Sequence, residues 1–124
     1  LVLVAEGYAT AASLHEATGL PVAVAFDAGS LKSVVADLAK KYRCNILICA
    51  DDDFASAGNP GVEAARLAAA AHGAQYLVPL FTEERKEKKD GTDFNDLHRL
   101  EGLGEVATQL NSCLDAIREL RTYG

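Results

Sequence analysis

Residues 45–53, with the sequence NILICADDD, constrain the fold more than any other part of the chain. The five apolar residues in succession, 46–50, are typical of a strand that is buried on both faces, as in a parallel sheet. Three carboxylates, Asp51, Asp52 and Asp53, follow at once, and burying any of them without a partner costs free energy. Because ligands bind at the carboxyl ends of strands in open α/β sheets, these aspartates lie where a functional site is expected.

Length and charge narrow the class of protein. The chain has 124 residues, 49% of them hydrophobic, which is enough for one domain with a core and too few for two. The formal net charge of −6 argues against a broad basic surface that holds nucleic acid by itself. It leaves open a nucleic-acid enzyme, because bound Mg²⁺ would offset part of the acidity of a site.

The three cysteines, Cys44, Cys49 and Cys113, form no CxxC pair and no Cys/His ligand set, so zinc is not supported. Unpaired cysteines are typical of a reducing compartment, and we expect a cytoplasmic protein. No apolar run approaches the ~18 residues that a membrane span needs. The chain opens on an apolar run without methionine, which predicts a piece of a longer protein.

Apolar runs alternate with helical patterns along the chain. Four strands are predicted, at residues 1–5, 21–26, 46–50 and 75–80. Helices are predicted at residues 10–18, from a cap at Ser30, from the Asn59-Pro60 start to Gly73, and over a long amphipathic segment from about residue 103 that includes Leu120. The mixed-charge run at residues 83–90, EERKEKKD, is interpreted as a solvated loop. This order predicts an α/β fold, a parallel four-stranded sheet with helices on both faces.

A second carboxylate occupies the same kind of position as the aspartates. Glu6 ends the first apolar run, and we expect it near Asp51 and Asp53 if strands one and three are neighbours. Mg²⁺ takes oxygen ligands and needs only one or two protein carboxylates, so Asp51 and Asp53 are candidate metal ligands. Glu6 is then a candidate general acid or base. Asp52, in the middle, is expected to point away from its neighbours.

The sequence Glu6-Gly7-Tyr8 after one strand, Asp51-x-Asp53 after another, and a helix entered through Gly61 resemble the Toprim domain. Primases, type IA and type II topoisomerases and certain nucleases share this fold, and primases of plasmids, phages and mobile elements look most similar. The resemblance covers about residues 1–100, and we expect residues 1–124 to form one such domain. It implies metal binding by Asp51 and Asp53 and acid/base work by Glu6.

The same resemblance extends to a later acidic element, Asp93-Phe94-Asn95-Asp96, which makes Asp93 and Asp96 further candidates for the site, together with Asp52. A capping role for Asp93 and Asp96 is the alternative. This chain departs from the primase pattern at three places. Many primases have an aspartate where Thr10 stands and a second aspartate where Asn95 stands, and the stretch between the aspartates and the next helix, Phe54 to Pro60, is longer than usual.

The function implied is that of a DNA primase core, a nucleotidyltransferase dependent on Mg²⁺ or Mn²⁺. It would join ribonucleoside triphosphates on a single-stranded DNA template, within a parent protein that carries zinc-binding and helicase regions. Two alternatives stay open: a nuclease or topoisomerase on the same fold, and a non-catalytic domain that binds metal or scaffolds a replication complex. Tyr8 is expected to pack beside the turn after Glu6, and His98 to lie on the surface.

Overall fold

The computed structural model describes the backbone of residues 1–123 and the side chains of residues 1–119. Four parallel strands form one sheet in the order β2-β1-β3-β4. Their bounds are Val2–Ala5 for β1, Val22–Val24 for β2, Ile46–Cys49 for β3 and Gln75–Leu77 for β4. The two central strands, β1 and β3, are the most deeply buried, because each is covered on both faces.

Six helices connect and cover the strands. They are α1 (Tyr8–Thr18), α2 (Leu31–Lys41), α3 (Pro60–His72), α4 (Glu83–Lys88), α5 (Phe94–Glu101) and α6 (Leu103–Tyr123), and a 3₁₀ turn at Ala28–Ser30 precedes α2. No helix among the described residues is both long and apolar enough to cross a membrane. The side chain of Leu120, predicted on the apolar face of the last helix, lies outside the described side chains.

Alternation along the central strands divides the core between the two faces of the sheet. Leu3 and Leu47 point to the face covered by α1, α5 and α6. Val4 and Ile48 point to the opposite face, covered by α2 and α3. Three alanines of α3, Ala65, Ala68 and Ala69, are buried there, and their small side chains let the helix approach the sheet closely. The predicted α/β fold, with a parallel four-stranded sheet and helices on both faces, is therefore confirmed.

Three local predictions were wrong. The fourth strand ends at Leu77 rather than residue 80, because Pro79 lacks the N–H that a ladder needs. The mixed-charge run is the helix α4 and not a loop: the Thr82 side chain accepts a hydrogen bond from the Arg85 N–H and caps its start. Ser30 does not cap α2 with its side chain. The Asp27 carboxylate instead accepts from the Ser30 N–H, at 2.7 Å.

Candidate active site

The register of the central strands brings two distant carboxyl groups to one edge of the sheet. Ala5 of β1 lies beside Cys49 of β3, so Glu6 and Asp51 leave the sheet next to each other. Their carboxyl groups interact across this edge, and a hydrogen bond between them raises the pKa of Asp51 and lowers the pKa of Glu6. Two residues 45 positions apart in sequence therefore meet at the carboxyl-terminal edge.

Asp51 is the most strongly perturbed acid of this group. Burial raises its pKa first, and repulsion from Glu6, Asp93 and Asp53 adds to the effect, so that the pKa of Asp51 reaches about 7. Its Oδ1 atom is buried and has no hydrogen-bond partner. A buried carboxylate oxygen without a donor is costly, and a cation is the group that would satisfy it.

The pKa of Glu6 is also set by opposing effects. Burial raises its pKa, the hydrogen bond from Asp51 lowers it, and repulsion from Asp53 and Asp27 raises it again. A hydrogen bond from the Ala28 backbone lowers the pKa of Glu6 as a smaller effect. Glu6 is therefore a partly buried carboxylate with one backbone donor and three acidic neighbours.

Asp53 is oriented by the start of α3. Its Oδ2 accepts a hydrogen bond from the Gly61 N–H at 2.8 Å, and its own N–H donates to Asn59 Oδ1 at 2.8 Å. The first N–H groups of a helix have no partner within the helix, so a carboxylate there is favourable. Asn59 also donates through Nδ2 to Asp52 Oδ1 at 2.7 Å. Asp52 therefore supports the loop and is turned to Asn59.

Gly61 permits the close approach of α3 to the aspartates. A Cβ atom at this position would lie 2.4 Å from the Asp51 carbonyl oxygen and 2.7 Å from Asp53 Oδ2. Both distances are shorter than van der Waals contact, so any side chain would push the helix away from the site. The absence of a side chain at Gly61 thus keeps Asp51 and Asp53 where they are.

The two aspartates of the later acidic element, Asp93 and Asp96, have different surroundings in the structure. Asp93 caps α5, accepting from the Asp96 N–H at 2.8 Å, and the Thr10 side chain also hydrogen bonds to it. Burial raises the pKa of Asp93, and its charge in turn raises the pKa of Asp51. Asp96 instead accepts from the Thr92 N–H and pairs with Arg99 at 3.3 Å. Asp93 lies at the site, whereas Asp96 stabilises the loop before α5.

A buried polar cluster fixes α5 against α1. Ser13 is almost fully buried, its Oγ accepts from Asn95 Nδ2 at 3.1 Å, and it lies 3.0 Å from His98 Nδ1. His98 is half-buried in this contact, so its prediction as a surface residue was wrong. An aspartate at position 95 could not donate to Ser13, which gives the departure from the primase pattern a structural role here.

Sequence reasoning missed Asp27. It follows β2 at the same edge, repels the charge of Glu6, and precedes the Ala28 N–H that binds Glu6. Its position after an apolar run, the same signal that identified Glu6, could have revealed it. Tyr8 was placed wrongly, because its side chain is exposed and does not pack beside the turn.

Mg²⁺ or Mn²⁺ fits this donor set. Among the residues that the structure describes, no three His, Cys, Asp or Glu side chains converge as a ready ligand cage. Mg²⁺ does not need one, because it binds through one or two carboxylates and keeps several waters. The unpartnered Oδ1 of Asp51 and the mutual repulsion of the carboxylates are what a cation would relieve.

Comparison with known proteins identifies the family to which this sequence is similar. The sequence profile described as the Toprim domain matches residues 1–104. Two proteins of Escherichia coli, both named DNA primase TraC, are 39% and 38% identical to this chain over 85 residues. Each alignment covers 64% of this chain but only 6% and 8% of the two relatives, respectively. No solved structure matches the chain.

Proposed function

Because the chain belongs to the Toprim domain family, we propose that it is the catalytic core of a DNA primase, carrying out Mg²⁺-dependent nucleotidyl transfer on single-stranded DNA. Ribonucleoside triphosphates would be its substrates and RNA primers its product. The two similar proteins named DNA primase favour this reaction over those of a nuclease or topoisomerase. Because these relatives are far longer, we propose that the chain works within a larger protein that includes zinc-binding and helicase regions.

The observation that carries the proposal is the meeting of Glu6 with Asp51 at the sheet edge, beside Asp53. Nothing in the packing of the core requires three acids there, and their repulsion opposes folding. A non-catalytic scaffold would have no use for a buried carboxylate oxygen without a partner. An enzyme that handles phosphates through a divalent cation would use it directly.

Asp51 and Asp53 are the residues that we propose to hold the metal. When bound, the ion would neutralise charge on phosphate oxygens and polarise the phosphorus that is attacked. Asp53 is pre-oriented by the Gly61 N–H, so its free oxygen needs little rearrangement. Asp93 adds negative charge from the side of α5 and would strengthen the preference for a cation.

Glu6 is the residue that we propose for proton transfer. The 3′-oxygen of the growing primer forms a bond to the α-phosphorus of the incoming nucleotide, and the bond from that phosphorus to pyrophosphate breaks. The proton of the 3′-hydroxyl passes to the Glu6 carboxylate. The raised pKa of Glu6 makes it a better base than an ordinary glutamate, and the Ala28 N–H holds it in place.

Primer synthesis on a single-stranded DNA template, with ribonucleoside triphosphates and Mg²⁺, tests the proposal. Glu6→Gln and Asp51→Asn should each lower the rate by roughly 10²- to 10⁴-fold. Glu84→Gln, an exposed acid of α4, is the matched control and should leave the rate unchanged. Near-normal synthesis in both site variants would rule out the assignment. Shortening of the template in the same reactions would identify a nuclease instead.

A further inference from the structure

Two exposed aromatic side chains lie at the carboxyl-terminal edge of the sheet, and the proposed reaction gives neither of them a role. Tyr8 is 74% exposed and Phe26 is 77% exposed, the two highest values among the exposed large hydrophobic side chains of the described part. Both flank Glu6. Tyr8 follows it by two residues, and Phe26 lies directly before Asp27, whose neighbour Ala28 donates to the Glu6 carboxylate.

The sheet register brings the chain segments that carry the two aromatic residues out of adjacent strands. Ala5 of β1 lies beside Val24 of β2, so the chain segments that carry Tyr8 and Phe26 leave adjacent strands. Adjacent strands are about 4.8 Å apart. The aromatic residues therefore share one end of the sheet with the carboxylates, on the side of β2.

Phe26 is held in an unfavourable backbone conformation. Its φ angle is +73°, in the left-handed region that bulky side chains rarely adopt. Of the other two non-glycine residues with positive φ among those described, Asn59 is of a type that tolerates this conformation, and Lys89 lies at the C-terminal end of α4, where it is common. A strained backbone that exposes a phenyl ring to water contributes nothing to stability, and strain of this kind is typical of functional positions.

We propose that Tyr8 and Phe26 form a stacking platform for unpaired bases of the single-stranded nucleic acid whose phosphates face the carboxylates. This inference rests on the proposed function. Aromatic rings hold single-stranded nucleic acid by stacking on base faces, without regard to sequence. The net charge of −6 does not favour a broad attraction of phosphates, so an uncharged contact has greater weight here.

Binding of fluorescein-labelled oligothymidylate in the presence of Mg²⁺, followed by anisotropy, tests the platform. Tyr8→Ala and Phe26→Ala should each weaken binding roughly 5- to 100-fold, whereas Tyr8→Phe and Phe26→Trp should retain the affinity. Tyr42→Ala is the matched control. Tyr42 is 49% exposed and lies just before β3, at the opposite edge of the sheet, so its loss should not affect binding.

Two further readouts separate stacking from other effects. The salt dependence of binding should keep its slope in both alanine variants, because no ionic contact is removed. An oligomer of the same length without bases should bind the wild-type chain weakly, and the alanine variants should bind it no worse. Phe26→Gly, which relieves the backbone strain, should weaken oligothymidylate binding without lowering the melting temperature, which separates the effect from misfolding.

Unchanged oligothymidylate affinity in both alanine variants would overturn the platform, as would the absence of any binding by the wild-type chain. Dissociation of an oligomer on substitution, with DNA affinity intact, would assign the two rings to a protein interface and also overturn it. None of these results alters the expected loss of primer synthesis in Glu6→Gln. Failure of the platform is therefore distinguishable from failure of the proposed function.

Discussion

Two acidic regions of this molecule are built in opposite ways. In α4, acids alternate with bases: Glu84 pairs with Lys88 at 2.9 Å, and Arg85 pairs with both Asp90 and Glu101. At the sheet edge, Glu6 and Asp51 lie beside each other and both have Asp53 as a further acidic neighbour. The first region is neutralised by its own sequence, whereas the acids of the second form no ion pair with a basic side chain of the described residues. An acidic cluster indicates a site when its charges lack internal partners.

The largest expected effect is a pH dependence of the unfolding free energy that arises from Asp51 at the sheet edge and has no counterpart in α4. The pKa of Asp51 is about 7 in the folded chain and near 3.8 in an ordinary aspartate, so the folded state binds the proton more tightly. The contribution of the Asp51 carboxyl group to the free energy of unfolding is therefore fully present below pH 3.8 and is lost as the pH rises to 7. The loss is on the order of 2 kcal/mol, allowing for screening by water at this partly exposed edge.

Denaturant unfolding from pH 5 to pH 8, without divalent cations, measures this effect. The difference in unfolding free energy between wild type and Asp51→Asn isolates the group, and it should favour the variant increasingly as the pH rises. Adding Mg²⁺ at pH 8 should stabilise the wild type and have little effect on the variant. A wild-type chain that becomes more stable relative to Asp51→Asn with rising pH would contradict the origin given for the shift.

The contact between α3 and the aspartates provides the next test. Gly61→Ala introduces a Cβ that overlaps the Asp51 carbonyl oxygen, and we expect a loss of roughly 1–3 kcal/mol in unfolding free energy. Mg²⁺ binding should weaken as well, because Asp53 loses the Gly61 N–H that orients it. Both changes can be followed by denaturant unfolding and by calorimetric Mg²⁺ titration.

Gly104→Ala is the control for that substitution. Gly104 lies in the first turn of α6, and a Cβ there would have no atom within 4 Å. Alanine is the better helix former, so this change should be neutral or slightly stabilising. If Gly61→Ala behaves like Gly104→Ala, the approach of α3 does not constrain the site.

The sequence predicts the individual strands and helices of this fold better than it predicts which residues meet at the site. The β3 run, the Asn59-Pro60 start and the Gly73 stop all have local physical causes, and each prediction agrees with the structure. Local patterns also located Glu6, Asp51 and Asp53 at strand ends. They did not decide which strands are neighbours, because strand order depends on packing between residues far apart in sequence. The proximity of Asp93 to Asp51 has the same origin.

The errors also have physical reasons. The EERKEKKD run has no apolar period, so it was interpreted as a loop, yet capping by Thr82 and pairing with α5 make it helical. Asp27 lies in a short turn after an edge strand, where aspartate is common for local reasons, so its position after an apolar run was passed over, and its repulsion of Glu6 across the sheet edge distinguishes it. Sequence patterns report what a segment does alone, and both errors concern contacts between segments.

The smallest expected effect on stability comes from the Glu84–Lys88 ion pair of α4. Glu84→Ala, Lys88→Ala and the double variant form a cycle on side chains that are 75% and 63% exposed. The coupling energy should be about 0.3–0.5 kcal/mol, because water screens an exposed pair, and it should fall as salt is added. Primer synthesis and Mg²⁺ binding should not change in any of the three. A coupling above 1 kcal/mol, or altered Mg²⁺ binding, would mean that α4 influences the sheet edge, and the two acidic regions would no longer be independent.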